Sequence, residues 1–207
     1  MIVLGLTGSI GMGKSTAAAM FRRMGVPIHD ADAAVHRLLA AGGAAVAPIG
    51  AAFPGVVRDG AVDRLALGRI VFADAAALRR LEAIVHPLVR RSSRTFLTRH
   101  RRRRTAVVVL DIPLLFEKGN ERYCDRVVVV SAPSFLQRQR VLRRPGMTEA
   151  RFRGILAQQT PDAEKRRRAD WVVPTGLGRG FTWRRLAAIL RRTSAAGGRM
   201  RRRRPHA

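Results

Sequence analysis

Residues 5–16, GLTGSIGMGKST, decide the fold class of this chain. Gly8, four further residues and then Gly13-Lys14-Ser15 match the phosphate-binding loop pattern G-x-x-x-x-G-K-[ST]. The pattern also arises by chance as a simple glycine turn. Here an apolar run precedes it and an alanine-rich run follows it, which predicts the strand–loop–helix context of a true phosphate site. The stretch therefore predicts that a nucleoside triphosphate is held, without indicating what receives the phosphate.

The rest of the chain alternates short apolar runs with segments of helical spacing, which predicts an α/β fold with a parallel sheet covered on both faces. The apolar runs predict five strands, at 2–7, 26–32, 105–116, 125–133 and 170–176. Helices are predicted at 14–25, 33–43, 63–74, 75–100, 134–144, 148–159 and 181–193, the fourth interrupted at Pro87. Residues 44–62 are predicted to be rich in loops, with short helical pieces.

Two carboxylates, Asp30 and Asp32, end the second predicted strand. Ligands of open parallel sheets bind at the carboxyl ends of the strands, so both side chains are expected near the phosphates. A carboxylate there could orient or deprotonate an acceptor hydroxyl. The alternative is that either residue only caps the helix predicted from Ala33, and for Asp30 the two interpretations are about equal.

A third carboxylate, Asp111, closes the most apolar strand, and Glu117 follows six residues later. An acid at the end of such a strand resembles a Walker B residue, which could hold a magnesium-bound water. Ser15 would offer its hydroxyl to the same Mg²⁺, and Lys14 would reach the β- and γ-phosphates. The sequence thus predicts Ser15 and Asp111 as metal-binding residues.

Arginines cluster on the helix predicted at 134–144, at positions 138, 140, 143 and 144. On a segment that closes over the nucleotide, they could stabilise the transferring phosphoryl group and exclude water. The alternative is chance, because 40 of the 207 residues are basic and only Lys14, Lys118 and Lys165 are lysines. Spacing alone does not decide between the two interpretations.

The composition limits the remaining classes of protein. The net charge of +26 predicts attraction to polyanions at low salt, although an Arg-rich codon bias explains it more simply than a selected nucleic-acid surface. No apolar run is long enough to span a membrane, and the first residues do not resemble a signal peptide. The single cysteine, Cys124, fits a reducing cytoplasm and is interpreted as a structural residue.

Several segments in order carry a resemblance to a known family. They are GLTGSIGMGKST, VPIHDADAAVHRL, DGAVDRLALGRIVFAD, LEAIVHPLV, VVVLDIPLLFE, DRVVVVSAP, RPGMTEARFRGILAQQ and DAEKRRRADWVV. Together, over about residues 2–192, they resemble the dephospho-CoA kinases. The phosphate-binding loop alone is generic, whereas Asp-Ala-Asp, the pair His86-Pro87 and the run Pro-Leu-Leu-Phe-Glu make the resemblance specific.

The resemblance implies ATP-dependent phosphorylation of the ribose 3′-hydroxyl of dephospho-CoA, with ATP and Mg²⁺ as cofactors. It implies a three-layer P-loop kinase fold in a single domain, 1–193, with a helical substrate-binding part at about 33–104 and a lid at about 140–160. An Arg-rich tail at 194–207 lies outside the pattern and is predicted to be disordered.

Carried over to this sequence, the family's functional residues fall on four sets of positions. The residues that bind ATP are Gly11, Met12, Gly13, Lys14, Ser15 and Thr16. Asp32 is the candidate base on the 3′-hydroxyl, and Arg140 and Arg144 match lid arginines. His86 falls in the acceptor-binding part, although a structural histidine at the start of a helix is an equal alternative. The sequence departs from the family after the fifth strand, where members often carry Asp or Asn in a DN-G or DTG stretch and this chain has VVPTG, with Pro174 and Thr175. Proline has no backbone N–H to donate, which puts the adenine contacts there in doubt.

Two rival functions remain open from the sequence. A nucleoside monophosphate kinase would share the loop, the sheet and the lid. A nucleic-acid-binding NTPase would use the positive charge, but the sequence carries no RNA-binding aromatic motif. We expect a cytoplasmic monomer whose partners are ATP and dephospho-CoA, with non-specific polyanion binding arising from charge.

Overall fold

The computed structural model describes residues 1–195. The strands are β1 (Ile2–Thr7), β2 (Ile28–Asp30), β3 (Val57–Arg58), β4 (Ala61–Val62), β5 (Val107–Asp111), β6 (Arg126–Ser131) and β7 (Trp171–Pro174). The helices are α1 (Lys14–Arg23), α2 (Ala31–Leu39), α3 (Val46–Ala52), α4 (Arg64–Ala73), α5 (Ala75–Arg102), α6 (Ser134–Leu142), α7 (Glu149–Ala157), α8 (Asp162–Arg168) and α9 (Arg179–Ala195), with a 3-10 helix at Asn120–Tyr123. The tail was predicted at 194–207, and its residues from 196 onward lie outside the described part of the chain.

A five-stranded sheet in the order β2-β5-β1-β6-β7 confirms the predicted α/β fold. β1 pairs in parallel with β5 on one side and with β6 on the other, and β6 pairs in parallel with β7. All six residues of β1 are buried, as the continuous apolar run predicts for a strand covered on both faces. The central strand therefore leads directly into the glycine-rich loop.

The described residues divide into two compact units, and the first contains Met1–His29 together with the described chain from residue 100 to residue 195. Its core joins the sheet to α1 and α9 and includes Leu4, Leu6, Phe21, Val109 and Leu186, each at most 2% exposed. Burial of a large apolar side chain contributes roughly 1.5–3 kcal/mol. This core fixes the strand end from which the phosphate-binding loop departs.

The second unit, Asp30–Arg99, has an apolar core of its own. That core includes Leu39, Ile49, Phe53, Val56, Leu67 and Val71, supplied by helices and by the short connections between them. Its bounds lie close to the helical part predicted at 33–104. The assignment of this unit to acceptor binding remains a prediction.

The predicted interruption at Pro87 is wrong, because α5 runs unbroken from Ala75 to Arg102 with Pro87 inside it. Proline removes one backbone donor, and the acceptor that loses its partner is the carbonyl of Ala83, four residues earlier. Both residues are exposed, so water can solvate that carbonyl. Leu81, Ile84, Val85 and Leu88 pack against the core of the second unit and hold both halves of the helix in place.

A two-stranded hairpin, β3–β4, occupies part of the segment that the sequence analysis assigned to loops and short helical pieces. Its turn is Asp59-Gly60, with φ angles of 50° and 72°. Two successive positive φ angles define the turn type that an Asp-Gly pair favours in hairpins. The Asp-Gly pair is thus a sequence signal for this hairpin.

Helix α8 was also absent from the predicted elements. It begins after Pro161 with Asp162 and Glu164 in its first turn, and it ends with Lys165, Arg166, Arg167 and Arg168. Acids at the N-terminus and bases at the C-terminus complement the helix dipole.

Within residues 1–195, none of the helices combines the length and apolarity needed to cross a bilayer.

Candidate functional site

The glycine-rich loop connects β1 to α1, as predicted, and it leaves the start of the helix open. Gly13 stands at the N-cap position with φ of 86°, and no side chain caps the helix. The first N–H groups of a helix lack partners within the helix and readily bind anionic oxygens. A Cβ on Gly8 would come within 2.5 Å of Val130 Cγ2, so only glycine allows the loop to pass β6 this closely. The geometry is that of a phosphate cradle.

Lys14 and Asp111 form an ion pair, with Lys14 Nζ donating to Asp111 Oδ1 at 2.7 Å. Asp111 is 3% exposed and ends β5, and its register partner on β1 is Leu6. The adjacent pairing of two parallel strands therefore brings the loop lysine and this carboxylate together. A cation next to a buried carboxylate offsets part of the cost of burying that charge.

The two residues predicted to bind Mg²⁺ supply the oxygen ligands that this ion prefers. Ser15 is exposed in the first turn of α1, and Asp111 presents a carboxylate at the end of β5. No cluster of three or more His, Cys, Asp or Glu side chains suited to a metal occurs among residues 1–195. Mg²⁺ keeps several waters and binds substrate phosphates alongside only one or two protein ligands, so it does not require such a cluster.

Two glutamine side chains that sequence reasoning missed hold the backbone of Ile10 in the phosphate-binding loop. Gln137 Nε2, on α6, donates to the Ile10 carbonyl at 2.8 Å. The Ile10 N–H donates to Gln159 Oε1 at 3.0 Å, just beyond α7. Each amide offers the atom that the backbone group needs, so the loop is anchored from two separate segments.

Arg140, a predicted lid arginine, lies beside the phosphate-binding loop. Its guanidinium donates to the Gly11 carbonyl at 3.4 Å, to Thr175 Oγ1 at 3.1 Å and to the Thr175 carbonyl at 2.8 Å. Thr175 Oγ1 in turn lies 2.9 Å from the carbonyl oxygen of Met12. Arg140 is thus already oriented against the loop through α6 and the residue that follows β7.

The other predicted lid arginine, Arg144, is exposed and lies just beyond the end of α6. Nearby, Arg138 on α6 pairs with Glu149 on α7, with Nη2 and Oε2 at 2.9 Å. The hydrogen bond from Arg138 holds the pKa of Glu149 below its ordinary value, against the opposing effect of desolvation. This pair links the two helices that flank Arg144.

The carboxylates after β2 have different environments. Asp30 is the N-cap of α2, and its side chain accepts from the Ala33 N–H at 3.0 Å, which confirms the capping interpretation for this residue. Asp32 lies in the first turn of α2 and is exposed.

His86, the predicted acceptor-binding residue, is half-buried in the middle of α5. Asp32 and His86 belong to the second unit, whereas the loop, Asp111 and Arg140 belong to the first.

Glu117 forms a buried ion pair that the sequence analysis did not predict. Its Oε1 lies 2.8 Å from Lys165 Nζ on α8 and accepts from the Thr160 N–H at 2.9 Å. Lys165 is fully buried. Burial raises the pKa of Glu117, but the Lys165 ammonium and the backbone N–H groups of Glu117 and Thr160 outweigh it and hold the pKa below its ordinary value. Glu117 therefore joins the segment after β5 to α8.

The lowered pKa of Glu117 makes the contribution of this pair to stability dependent on pH. It is fully present above the ordinary value of about 4.5 and is lost as pH falls through the lower value of the folded protein. We therefore expect Glu117→Gln to lower the free energy of unfolding most near neutral pH, and less in acid. Urea unfolding from pH 7 to pH 3.5 measures this difference.

The matched control is Glu164→Gln, which alters a half-exposed pair with Arg168 on the same helix. Exposed helical pairs of this kind contribute only about 0.3–0.5 kcal/mol, so its effect should stay small at every pH. A difference between Glu117→Gln and the unmodified protein that stays constant across this range would contradict the assignment.

These features define a class of protein. P-loop kinases characteristically have a phosphate-binding loop after the central strand of a parallel α/β sheet. Here the lysine of that loop is also paired to an acid on the adjacent strand. A solved Thermus thermophilus protein has the same fold, with a TM-score of 0.81, 39% identity and coverage of 92% of this chain and 97% of that one. A solved dephospho-CoA kinase from Campylobacter jejuni, 23% identical, shares the fold with a TM-score of 0.71 over 94% of this chain and 98% of its own.

Within that class, the family model for dephospho-CoA kinase matches residues 2–176, and the chain belongs to the dephospho-CoA kinase family. The dephospho-CoA kinase of Paramagnetospirillum magneticum is 71% identical over 166 residues, which cover 80% of this chain and 78% of that protein. The family resemblance stated from the sequence motifs is confirmed.

Proposed function

We propose that this protein transfers the γ-phosphoryl group of ATP to the ribose 3′-hydroxyl of dephospho-CoA, giving coenzyme A and ADP. The observation that carries the proposal is the ion pair between Lys14 and Asp111, formed at the loop of a chain that belongs to the dephospho-CoA kinase family. In the reaction, a bond forms between the 3′-oxygen and the γ-phosphorus. The bond from that phosphorus to the β,γ-bridging oxygen breaks, and ADP leaves.

The loop from Gly11 to Thr16 binds the phosphates through backbone N–H groups at the uncapped start of α1. Lys14 supplies a positive charge to the β- and γ-phosphates and exchanges its contact with Asp111 for contacts with them. Because charge accumulates on the phosphoryl oxygens in the transition state, a fixed cation there lowers the barrier.

Ser15 and Asp111 would hold Mg²⁺, the first through its hydroxyl and the second through its carboxylate. When bound, the ion neutralises charge on the β- and γ-phosphates. The proposal is supported by the oxygen chemistry of both side chains and by the position of Asp111 at the end of the strand next to β1.

Asp32 accepts the proton of the 3′-hydroxyl as its oxygen attacks phosphorus. Asp30 uses its carboxylate to cap α2, whereas Asp32 is exposed, which favours Asp32 as the residue that meets an acceptor.

His86 contributes to acceptor binding. Arg140 and Arg144 place positive charge around the transferring group, and Arg140 starts from contacts with Gly11 and Thr175 beside the loop.

Product identification tests this proposal directly. The full-length protein is incubated with ATP, Mg²⁺ and dephospho-CoA, and the acceptor is analysed by mass spectrometry together with ³¹P NMR. We expect a new phosphomonoester on the 3′-oxygen and an equal amount of ADP. Parallel reactions with nucleoside monophosphates test the rival kinase, and a reaction without acceptor measures ATP hydrolysis. Phosphorylation of a nucleoside monophosphate but not of dephospho-CoA would overturn the proposal.

We further propose that the protein works in the cytoplasm as a monomer, where both substrates are available. Cys124, the single cysteine, is buried and forms no disulfide, which is compatible with a reducing compartment. Any binding to RNA should follow from the charge of the chain, with a steep loss of affinity in salt and no sequence preference.

A further inference from the structure

Thr175 has a hydroxyl group that meets three partners in the first unit. Its Oγ1 lies 2.9 Å from the Met12 carbonyl oxygen, 3.1 Å from Arg140 Nη1 and 3.3 Å from the Ser131 carbonyl oxygen. The residue is half-buried directly after β7, and its own N–H donates to the Ser131 carbonyl at 2.8 Å. The backbone of Thr175 is therefore fixed to β6, and its side chain bridges other segments.

The chemistry of a hydroxyl assigns a direction to this bridge. Thr175 Oγ1 carries one proton and accepts through its lone pairs, whereas the guanidinium of Arg140 can only donate. Arg140 therefore donates to Thr175, and Thr175 donates its proton to a carbonyl, of which Met12 is the nearer. A second bond from Arg140 Nη2 to the Thr175 carbonyl, at 2.8 Å, holds the guanidinium in this orientation.

The Met12 carbonyl belongs to the same peptide unit as the N–H of Gly13. The structure contains no cis peptide bond among its described residues, and in a trans peptide the carbonyl and the N–H point in opposite directions. Fixing the carbonyl of Met12 thereby fixes the direction of the Gly13 N–H. Thr175 also packs against Gly13. A Cβ atom added to Gly13 would lie 3.2 Å from Thr175 Oγ1.

We propose that Thr175 is a positioning residue for nucleotide phosphates. Its hydroxyl orients the Met12–Gly13 peptide, so that the Gly13 N–H is aimed at a bound phosphate, and it fixes Arg140 against the same loop. This proposal rests on the proposed function only in that the loop binds ATP. It does not depend on the identity of the acceptor.

The test compares Thr175→Val with Thr175→Ser in the full-length protein. Valine removes the hydroxyl at nearly constant size, whereas serine retains it. Loss of one such hydrogen bond at a binding site costs about tenfold in affinity. We expect Thr175→Val to weaken ADP binding, measured by calorimetry, about tenfold and to raise the KM for ATP by a similar factor. Thr175→Ser should recover most of that loss.

The kinetic constants separate positioning from general damage. An N–H that contacts phosphate equally in the ground state and the transition state changes KM and leaves kcat nearly constant, whereas a displaced Arg140 would lower kcat. The KM for dephospho-CoA should also stay constant. The matched control is Thr193→Val, in which a fully buried hydroxyl that donates to the Ile189 carbonyl is removed from α9. We expect this control to change the melting temperature without changing ADP affinity.

Unchanged ADP affinity in Thr175→Val would overturn the proposal, and so would a Thr175→Ser variant as impaired as the valine variant. The link to Arg140 is tested in an Arg140→Ala background, where the effect of Thr175→Val should be smaller. Equal effects in both backgrounds would overturn that link. ADP binding needs no acceptor, so a protein that shows the Thr175 effect but does not phosphorylate dephospho-CoA would contradict only the proposed function.

Discussion

Replacing Lys14 with alanine is expected to lower kcat by about 10²–10³-fold, the cost of losing one preorganised group that stabilises developing charge. Lys14 is the cation at the start of α1, and its ammonium lies 2.7 Å from Asp111 Oδ1. Without it, the β- and γ-phosphates lose a fixed positive charge in the transition state. Steady-state kinetics with saturating ATP and dephospho-CoA measures the change.

Because the substitution also removes the ammonium from a buried carboxylate, folding must be measured separately. The melting temperature of Lys14→Ala, together with ADP affinity, distinguishes a folded but slow enzyme from an unfolded one. Lys118→Ala is the control, since it removes an exposed lysine seven positions beyond Asp111. A folded Lys14→Ala variant that keeps kcat within about threefold of the unmodified enzyme, well below the expected loss, would show that this lysine does not stabilise the transition state.

Asp32→Asn is expected to lower kcat by roughly 10²-fold or more, the scale of general acid–base catalysis. Asparagine retains the size and polarity of the side chain but cannot take the proton of the 3′-hydroxyl at neutral pH. The KM for ATP should change little, because the phosphate-binding loop is unaltered. Initial rates at saturating ATP, with varied dephospho-CoA, give both constants.

Asp74→Asn is the control for this substitution. Asp74 also lies in the second unit at the start of a helix, where its carboxylate accepts from the Ala76 N–H at 2.7 Å. The control reports the general cost of removing one negative charge from a helix N-terminus, which is about 0.3–1 kcal/mol of stability. A near-normal kcat in Asp32→Asn would mean that Asp32 only orients the acceptor or supports the helix.

The fold was predictable from the sequence wherever local patterns and packing agree. The buried runs at β1, β5 and β6 are continuous and apolar, and the Gly-Lys-Ser signal joins the first of them to α1. Pro87 misled the prediction because a local penalty was outweighed by apolar contacts along both halves of α5. The Asp59-Gly60 turn, by contrast, follows from a local sequence signal, because an Asp-Gly pair favours a hairpin turn with two positive φ angles.

The site was predictable only in part, for a different physical reason. Lys14 and Asp111 carry recognisable motifs, and parallel pairing of β1 with β5 brings them together. Gln137, Gln159 and Thr175 act by hydrogen bonds to backbone atoms that are far away in the sequence. Such a hydrogen bond leaves no recognisable motif in the sequence, because its partner is a backbone carbonyl or N–H group, which almost every residue type carries. Only the folded chain identifies such contacts.

The central position of β1 has a consequence for the order in which the protein opens. Amide protons exchange with deuterated solvent slowest where only global unfolding exposes them. β1 is buried at every residue and is hydrogen-bonded to strands on both sides, so we expect its amides to belong to that slowest class. The phosphate-binding loop would then be attached, at its N-terminal end, to a strand that stays closed to solvent until the first unit unfolds.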